Sequence, residues 1–199
     1  VPFADLLEKR YWRCGTCQLI YLDPAHYLAA AEEKAQYLLH ENEIDDEGYR
    51  TFLNRLAEPL LQRLRPGASG LDYGCGPGPA LAAMCREAGH EMQVYDPFFA
   101  PEKSVLTQAY DFITCTEVVE HLHEPAKVFT LLDKCLKPGG WLGVMTSFYT
   151  EEIDFQKWHY PTDPTHVVFY NEETFSWLGE KMNWRRSFPA KNVVLFKKQ

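Results

Sequence analysis

The stretch Leu71-Asp72-Tyr73-Gly74-Cys75-Gly76-Pro77-Gly78-Pro79-Ala80-Leu81 constrains this chain more than any other. It lies where a short apolar run, Ser69–Tyr73, gives way to the helical pattern Ala80–Ala88, which Gly89 stops. Glycine tolerates positive φ and lets a backbone approach a ligand closely. The first amides of the following helix have no intrahelical acceptor and suit a negative or polar group. A second acid, Asp96, closes the next apolar run, Met92–Tyr95, 24 residues after Asp72. A carboxylate placed there can accept both hydroxyls of a ribose. Loop and acid together predict a nucleoside-bearing ligand. The dinucleotide fingerprint G-x-G-x-x-G/A fails, because Pro79 occupies its third glycine position.

The rest of the chain supplies a sheet for that loop. Strand-like runs at Ser69–Tyr73, Met92–Tyr95, Phe112–Cys115 and Trp141–Met145 alternate with helical patterns at Ala80–Ala88 and Pro125–Leu136. Pro138-Gly139-Gly140 reads as the turn into the fourth of these runs. Such alternation predicts a parallel sheet covered by helices on both faces. Asn171 reads as the cap of a helix over 172–181. Trp184–Phe188 and Val193–Lys197 then read as a hairpin adding antiparallel strands at one edge. Upstream, residues 25–65 read as helices broken at Glu41–Gly48. Pro59 is expected to kink the second helix or start a new turn, and Pro66-Gly67 to stop it.

The pattern Asp-x-Gly-x-Gly-x-Gly resembles motif I of class I S-adenosylmethionine-dependent methyltransferases. Residues 110–121 (YDFITCTEVVEH) resemble their fourth-strand segment, and Leu136-Lys137-Pro138-Gly139-Gly140-Trp141-Leu142 their turn into strand five. The resemblance covers roughly residues 50–199. It implies a Rossmann-like, doubly wound, mostly parallel sheet with a C-terminal antiparallel hairpin, and S-adenosylmethionine as cofactor. It also implies site residues. Gly74, Cys75, Gly76 and Gly78 would approach the cofactor, and Asp72 would stand near its amino-acid end. Asp96 would bind the ribose, Pro97 and Phe98 would flank the adenine, and Cys115, Thr116 and Glu117 would line the pocket beneath the sulfonium. One departure is visible. Only 14 residues separate Asp96 from Asp111, where the family fits a helix, a third strand and an adenine-contacting acid. The third strand is therefore expected to be short or missing.

Methyl transfer is an in-line displacement governed by positioning, and a hydroxyl or activated-carbon acceptor gains from a general base. Histidine suits that role. The candidates are His40, His121, His123, His159 and His166, with His121, His159 and His166 as the catalytic choices. Glu117, Glu120 and His121 form E-x-x-E-H, which on a helix would share one face and could hold a divalent cation such as Mg²⁺ or Mn²⁺. The pattern is similar to that of metal-dependent RNA 2′-O-methyltransferases and of quinone-ring O-methyltransferases, with His166 as a fourth ligand. The same segment also occurs in methyltransferases not known to need metal. Residues 158–166 (WHYPTDPTH), with Tyr149, read either as a wall for a planar acceptor or as a turn with a structural His166. Tyr37, His40, Asn42 and Tyr49 precede motif I, where helices of this family often lid the cofactor.

Three regions follow: residues 1–24 with a partial zinc-knuckle-like segment, a helical lid over 25–66, and the cofactor-binding domain over 67–199. In Cys14-Gly15-Thr16-Cys17 the two thiols are candidate zinc ligands, but structural zinc takes four. The pair reads as half of a knuckle or as a metal-free remnant. A start at Val1 rather than Met suggests that residues precede it. Net charge is −8 and no basic stripe appears, which favours a small-molecule acceptor over a nucleic acid. No apolar run reaches the roughly 18 residues that span a bilayer, and no signal-peptide core is visible. The six cysteines show no dense disulfide spacing, consistent with the cytoplasm. Nothing sets an oligomeric state. The competing readings are a nicotinamide-dependent oxidoreductase, a binding module without catalysis, and a metal-dependent RNA methyltransferase.

Overall fold

The computed structural model describes residues 1–39 and 44–199. The candidate base His40, its neighbour Asn42 and the start of the Glu41–Gly48 break lie outside the described residues. Strands β1 (Pro2–Leu6), β2 (Lys9–Arg13) and β3 (Ile20–Leu22) open the chain, followed by helices α1 (Ala30–Tyr37) and α2 (Glu47–Leu61). Then come β4 (Ser69–Tyr73), α3 (Ala80–Glu87), β5 (Glu91–Tyr95), β6 (Tyr110–Thr116), α4 (Pro125–Cys135), β7 (Leu136–Met145), β8 (Val168–Phe169), α5 (Glu172–Met182), β9 (Trp184–Ala190) and β10 (Val193–Lys198).

The main sheet has the order β5-β4-β6-β7-β10-β9. Its first four strands are parallel, and β10 and β9 are added antiparallel at one edge. Strand period divides its side chains between two cores. Phe112, Val193 and Leu195 face one core with Leu53, Leu56 and Leu60 of α2 and Leu81 and Cys85 of α3. Ile113, Cys115, Val194 and Phe196 face the other with Phe129 and Leu132 of α4 and Phe175 of α5. α2 is thus a layer of the core, and only Tyr49 and Phe52 near its start reach the cavity described below. Pro59 lies inside α2 without ending it. Near the last turn its missing N–H removes a single ladder bond, to Arg55, and the buried face of the helix outweighs that loss.

Between β5 and β6 there is only the short 3-10 turn Lys103–Thr107, so the third strand is missing among the described residues and β5 is an edge. Pro138-Gly139-Gly140 is absorbed into β7 as an irregularity. Pairing steps from Tyr110–Leu136 to Phe112–Trp141, with Gly139 at φ +76°. Asn171 caps α5 as expected, its Oδ1 accepting the Thr174 N–H at 2.7 Å.

The first 24 residues do not stand apart. β1, β2 and β3 form a second sheet with β8, and Tyr11, Ile20 and Leu22 are fully buried in the same core as β6 and β7. Phe155 and Phe169 meet Tyr11 edge-on at 5.0 and 5.8 Å. Leu22 N–H donates to the Val167 carbonyl and Val167 N–H to that of Glu120, both at 2.8 Å. The small sheet therefore anchors the loop that carries His166.

A β-carbon on Gly70 of β4 would lie 2.3 Å from Phe112 Cζ and 2.6 Å from Met92 Sδ. Phe112 is fully buried and has no room to turn. Gly70→Ala is expected to cost about 1–3 kcal/mol of stability through overpacking, read as a lower urea midpoint at unchanged slope. An unchanged midpoint would contradict this packing.

Candidate active site

The parallel strands end where β4 and β6 separate their connections to opposite sides of the sheet, the place where such sheets bind ligands. A cavity of about 850 Å³ opens there, lined by the loop after β4, the end of β5 and the turn after β6. The loop leaves β4 at Gly74, with φ +76°. Its amide and that of Cys75 donate to the Tyr95 carbonyl at 2.7 and 3.2 Å. A β-carbon on Gly74 would sit 2.3 Å from Val118 Cγ2, so glycine is required for both conformation and space. α3 begins behind Pro79 with no side-chain cap; its Ala80 N–H donates to the Gly78 carbonyl at 2.8 Å, and the amides of Leu81 and Ala82 have no acceptor one turn earlier in the helix.

Asp96 lines the cavity and is 8% exposed. Its Oδ2 accepts the Gly76 N–H at 3.1 Å, and its Oδ1 those of Phe98 and Phe99 at 2.8 and 3.1 Å. Three amides hold the carboxylate, and a fourth acceptor position remains. Pro97, Phe98, Cys75, Gly78, Thr116 and Glu117 also line the space. Asp72 lies beneath the loop, with Oδ1 accepting the Thr114 hydroxyl at 2.7 Å. Burial pushes its carboxyl up to about 6.

Cys115 departs from expectation. It is fully buried in the hydrophobic core and does not line the cavity. Successive side chains of β6 alternate between faces: Thr114 meets Asp72, and Cys115 points to the opposite core.

The E-x-x-E-H segment is not one helical face. Glu117 takes φ +51°, with its N–H on the Met145 carbonyl at 2.8 Å, and only Val119–His121 form a 3-10 turn. A left-handed non-glycine residue costs about 1–2 kcal/mol, and such strain clusters at functional sites. The groups that converge are Glu120, His121 and His166, whose potential ligand atoms all lie within 4.8 Å of one another. Glu117 is not in that set. Glu120 is fully buried, and its Oε2 has no hydrogen-bond partner.

Tyr160, which no motif marks, joins these groups. Its hydroxyl donates to Glu120 Oε1, stands 3.5 Å from Glu117 Oε2, contacts Thr146 Oγ1 at 3.0 Å and accepts the Ser147 N–H at 3.3 Å. Its carbonyl accepts the His166 Nδ1–H at 2.8 Å. His121 Nδ1 likewise lies 3.1 Å from the Thr165 carbonyl. Burial, with Glu120 nearby, pushes Glu117 up to about 9, and burial also raises Glu120. Burial lowers His166, so its ring is neutral near pH 7 with its lone pair on Nε2.

His159 is exposed and lines a separate recess of about 390 Å³, with Gln36 and Asp163; His166 borders both spaces. The 3-10 turn Tyr160–Thr162 turns its ring away from the main cavity. Tyr149 and Trp158 do not wall the cavity either. They are buried in the aromatic cluster with Phe155, which the apolar edge of the small sheet demands. Tyr37 of α1 does cover the site, its ring 5.6 Å from Phe98 and 5.2 Å from His121.

Asp72 carries a pH signature. Its carboxyl is raised from 3.8 to about 6, so its ionised form is the destabilised one. The penalty is absent below pH 4, grows as pH rises to about 6, and reaches about 3 kcal/mol above that. Asp72→Asn, which keeps an acceptor for Thr114, is expected to raise the melting temperature at pH 8 and to lose that advantage by pH 4. A gain independent of pH would contradict the buried-charge account.

Comparison with known proteins agrees with this geometry. A methyltransferase-domain family model matches residues 40–185. A ubiquinone biosynthesis O-methyltransferase from Vibrio atlanticus is 33% identical over 72 residues, 36% of this chain and 30% of that protein. The Aeromonas salmonicida enzyme of the same name is 33% identical over 94 residues, 46% of this chain and 38% of that protein. The chain thus spans less than half the length of these relatives. Among solved structures, the 1,6-didemethyltoxoflavin-N1-methyltransferase of Burkholderia thailandensis superposes with a TM-score of 0.55 at 15% identity, covering 100% of this chain and 99% of that one. A SAM-dependent methyltransferase from Archaeoglobus fulgidus gives 0.53 at 20% identity, over 76% of this chain and 94% of that one. The fold is that of the S-adenosylmethionine-dependent methyltransferases, and the family match extends from before the glycine loop to the end of α5: the chain belongs to the methyltransferase-domain family.

Proposed function

We propose that this chain transfers a methyl group from S-adenosylmethionine to a hydroxyl oxygen of a small-molecule acceptor. The observation that carries the reading is the buried cluster Glu120–His121–His166 beside the glycine-loop cavity. An amine acceptor is already a nucleophile when neutral. A hydroxyl must lose its proton, and a base cluster at the cofactor end of the sheet serves that need.

The cavity fits the cofactor. Its volume lies within the range of small-molecule sites, and Gly76 faces open space where a side chain would intrude. When bound, S-adenosylmethionine supplies an electrophilic methyl group on a sulfonium. Asp96 would take the ribose hydroxyls, Phe98 would flank the adenine, and Asp72 would face the amino-acid end. The raised carboxyls of Asp72 and Glu117 would be relieved by a cationic ligand. His166, held by the Tyr160 carbonyl, would accept the acceptor's proton at Nε2. Tyr37 and Phe98 would help exclude water.

A second reading shares the cluster. The orphaned Glu120 Oε2 and two imidazoles whose Nδ1 atoms lie on backbone carbonyls fit a divalent cation, because carbonyl partners orient ligating histidines in this way. Glu120, His121 and His166 would hold Mg²⁺ or Mn²⁺, which would lower the pKa of a bound hydroxyl. Small-molecule acceptors are favoured over RNA by the net charge of −8 and by the relatives, which are named as ubiquinone biosynthesis O-methyltransferases. The six free thiols suit a reducing compartment such as the cytoplasm. No helix among the described residues is long and apolar enough to cross a membrane.

Transfer of labelled methyl from S-adenosylmethionine to hydroxyl-bearing metabolites tests the function; label appearing only on amines or on RNA would refute it. His166→Ala is expected to lower kcat about 10²–10⁴-fold while S-adenosylhomocysteine affinity, read by calorimetry, stays within about threefold. A matching loss of affinity would make His166 structural instead. For the metal reading, a chelator should abolish turnover and Mg²⁺ or Mn²⁺ restore it, with restoration lost in Glu120→Gln. Activity indifferent to the chelator would leave His166 as a base acting alone.

A further inference from the structure

Two spaces meet at His166, and the groups on their shared wall set what an acceptor must carry. Asp163 and His166 line both the cavity of about 850 Å³ and the recess of about 390 Å³. No residue of the glycine loop lines the recess, so a cofactor seated on that loop leaves it free. Methyl transfer is in line, and the acceptor oxygen stands across the methyl group from the sulfonium. The body of the acceptor therefore needs room on the side away from the cofactor. The recess offers it, with apolar walls from Leu39 and Pro164 and polar ones from Gln36 and Thr162.

The shared wall presents two acceptor atoms side by side. His166 Nδ1 is engaged by the Tyr160 carbonyl, which leaves Nε2 as the free nitrogen. Asp163 Oδ1 accepts the Thr165 N–H at 2.8 Å and the Thr165 hydroxyl at 2.6 Å. Its Oδ2 accepts no hydrogen bond among the described residues and stands 3.8 Å from His166 Nε2, too far for one. Burial opposes ionisation of Asp163, but the Thr165 bonds and the nearby imidazoles outweigh it and hold the carboxyl below its usual range. An acceptor hydroxyl has a single proton and gives it to only one of the two atoms. If it donates to Nε2 and the acceptor covers the wall, Oδ2 keeps its charge and loses its water. A second donor on the neighbouring atom of the same molecule satisfies both, each donor meeting its own partner across the 3.8 Å gap. We propose that the recess seats the acceptor and that Asp163 is a specificity-determining residue. It selects acceptors with a second hydrogen-bond donor, a hydroxyl or an amino group, on the carbon next to the one bearing the methylated hydroxyl. The inference rests on the reading of His166 as the base of hydroxyl transfer.

The test reads binding, by calorimetry on the 199-residue protein saturated with S-adenosylhomocysteine. The probes are phenol, benzene-1,4-diol, benzene-1,2-diol and 2-aminophenol. The last two are expected to bind about 10- to 100-fold more tightly than the first two, and the order between them tells whether a hydroxyl or an amine is the preferred second donor. Asp163→Asn keeps an oxygen for Thr165 and places an amide donor where Oδ2 stood. It should bring the preference close to one. Gln36→Trp on α1 fills the recess and should weaken all four probes, with S-adenosylhomocysteine affinity within about threefold. Should Asp163→Asn not fold, the unaltered protein and Gln36→Trp carry the test. Equal binding of the four probes, a preference that survives Asp163→Asn, or probe affinities untouched by Gln36→Trp would overturn the proposal. Binding and turnover also separate it from the reading beneath it. Label that reaches hydroxyls with no dependence on Asp163 overturns the subsite alone. A preference that depends on Asp163, with no label on any hydroxyl, supports the subsite and removes hydroxyl transfer.

Discussion

Val118 packs into the space that a side chain on Gly74 would fill, and much of the site follows from that contact. The turn after β4 and the turn after β6 belong to neighbouring parallel strands about 5 Å apart, and any residue with a β-carbon at Gly74 would force them to diverge. With glycine there, the backbone after β6 folds down at Glu117 and delivers Glu120 and His121 to the rim of the same cavity that the glycine loop opens. The glycine loop and the Glu120–His121–His166 cluster thereby share one space, although Gly78 and Glu120 lie more than 40 positions apart in sequence.

That closeness has an electrostatic consequence. Asp72, Glu117 and Glu120 are largely or wholly buried, and burial raises all three. Tyr160 offers one hydroxyl to both glutamates and cannot neutralise either. Among the described residues no arginine or lysine forms an ion pair with these acids; Arg55 acts on Glu117 and Arg86 on Asp72 only at longer range, and the ion pairs of Arg65, Lys137 and Lys198 lie elsewhere. The unliganded site thus holds carboxyls whose ionised form is disfavoured, Glu117 staying protonated near pH 7, and a cationic ligand would shift them toward ionisation.

The parts of this arrangement that sequence made legible are those set by local rules. Strand and helix patterns, the Asn171 cap and the shortened span after Asp96 each depend on nearest neighbours, and most appear in the structure within a residue or two; β7 is an exception, beginning at Leu136 rather than Trp141 because the Pro138-Gly139-Gly140 turn is built into the strand. Asp96, Pro97 and Phe98 were readable because they follow a strand directly. Cys115 was misplaced because a motif gives residues in order, whereas the strand's alternation decides which of them faces the cavity. The E-x-x-E-H segment misled through helical period: backbone strain at Glu117 rotates that acid out of the set and puts His166, 45 positions beyond His121, in its place. Tyr160 left no signal, since a tyrosine between aromatic neighbours reads as core, and its role depends on which groups the folded chain brings to its hydroxyl. The hairpin β1–β2 was also unseen, because its strands are short, alternate weakly between polar and apolar residues, and are stabilised through β3 and β8 rather than by their own pattern.

The missing third strand gives the molecule an asymmetry. β5 pairs on one side only, and its outward residues Glu91 and Gln93 are exposed and polar, which guards a bare edge against joining another sheet. The opposite edge is closed by the long β10–β9 hairpin, whose β10 packs against α2 and α5 and is tied to β7. Insertions beside β5 would disturb the nucleoside end of the cavity while leaving the base cluster untouched. On the proposed function, the fold would separate what it can vary from what it must keep: affinity for the donor could drift at the open flank without moving the groups that would act on the acceptor.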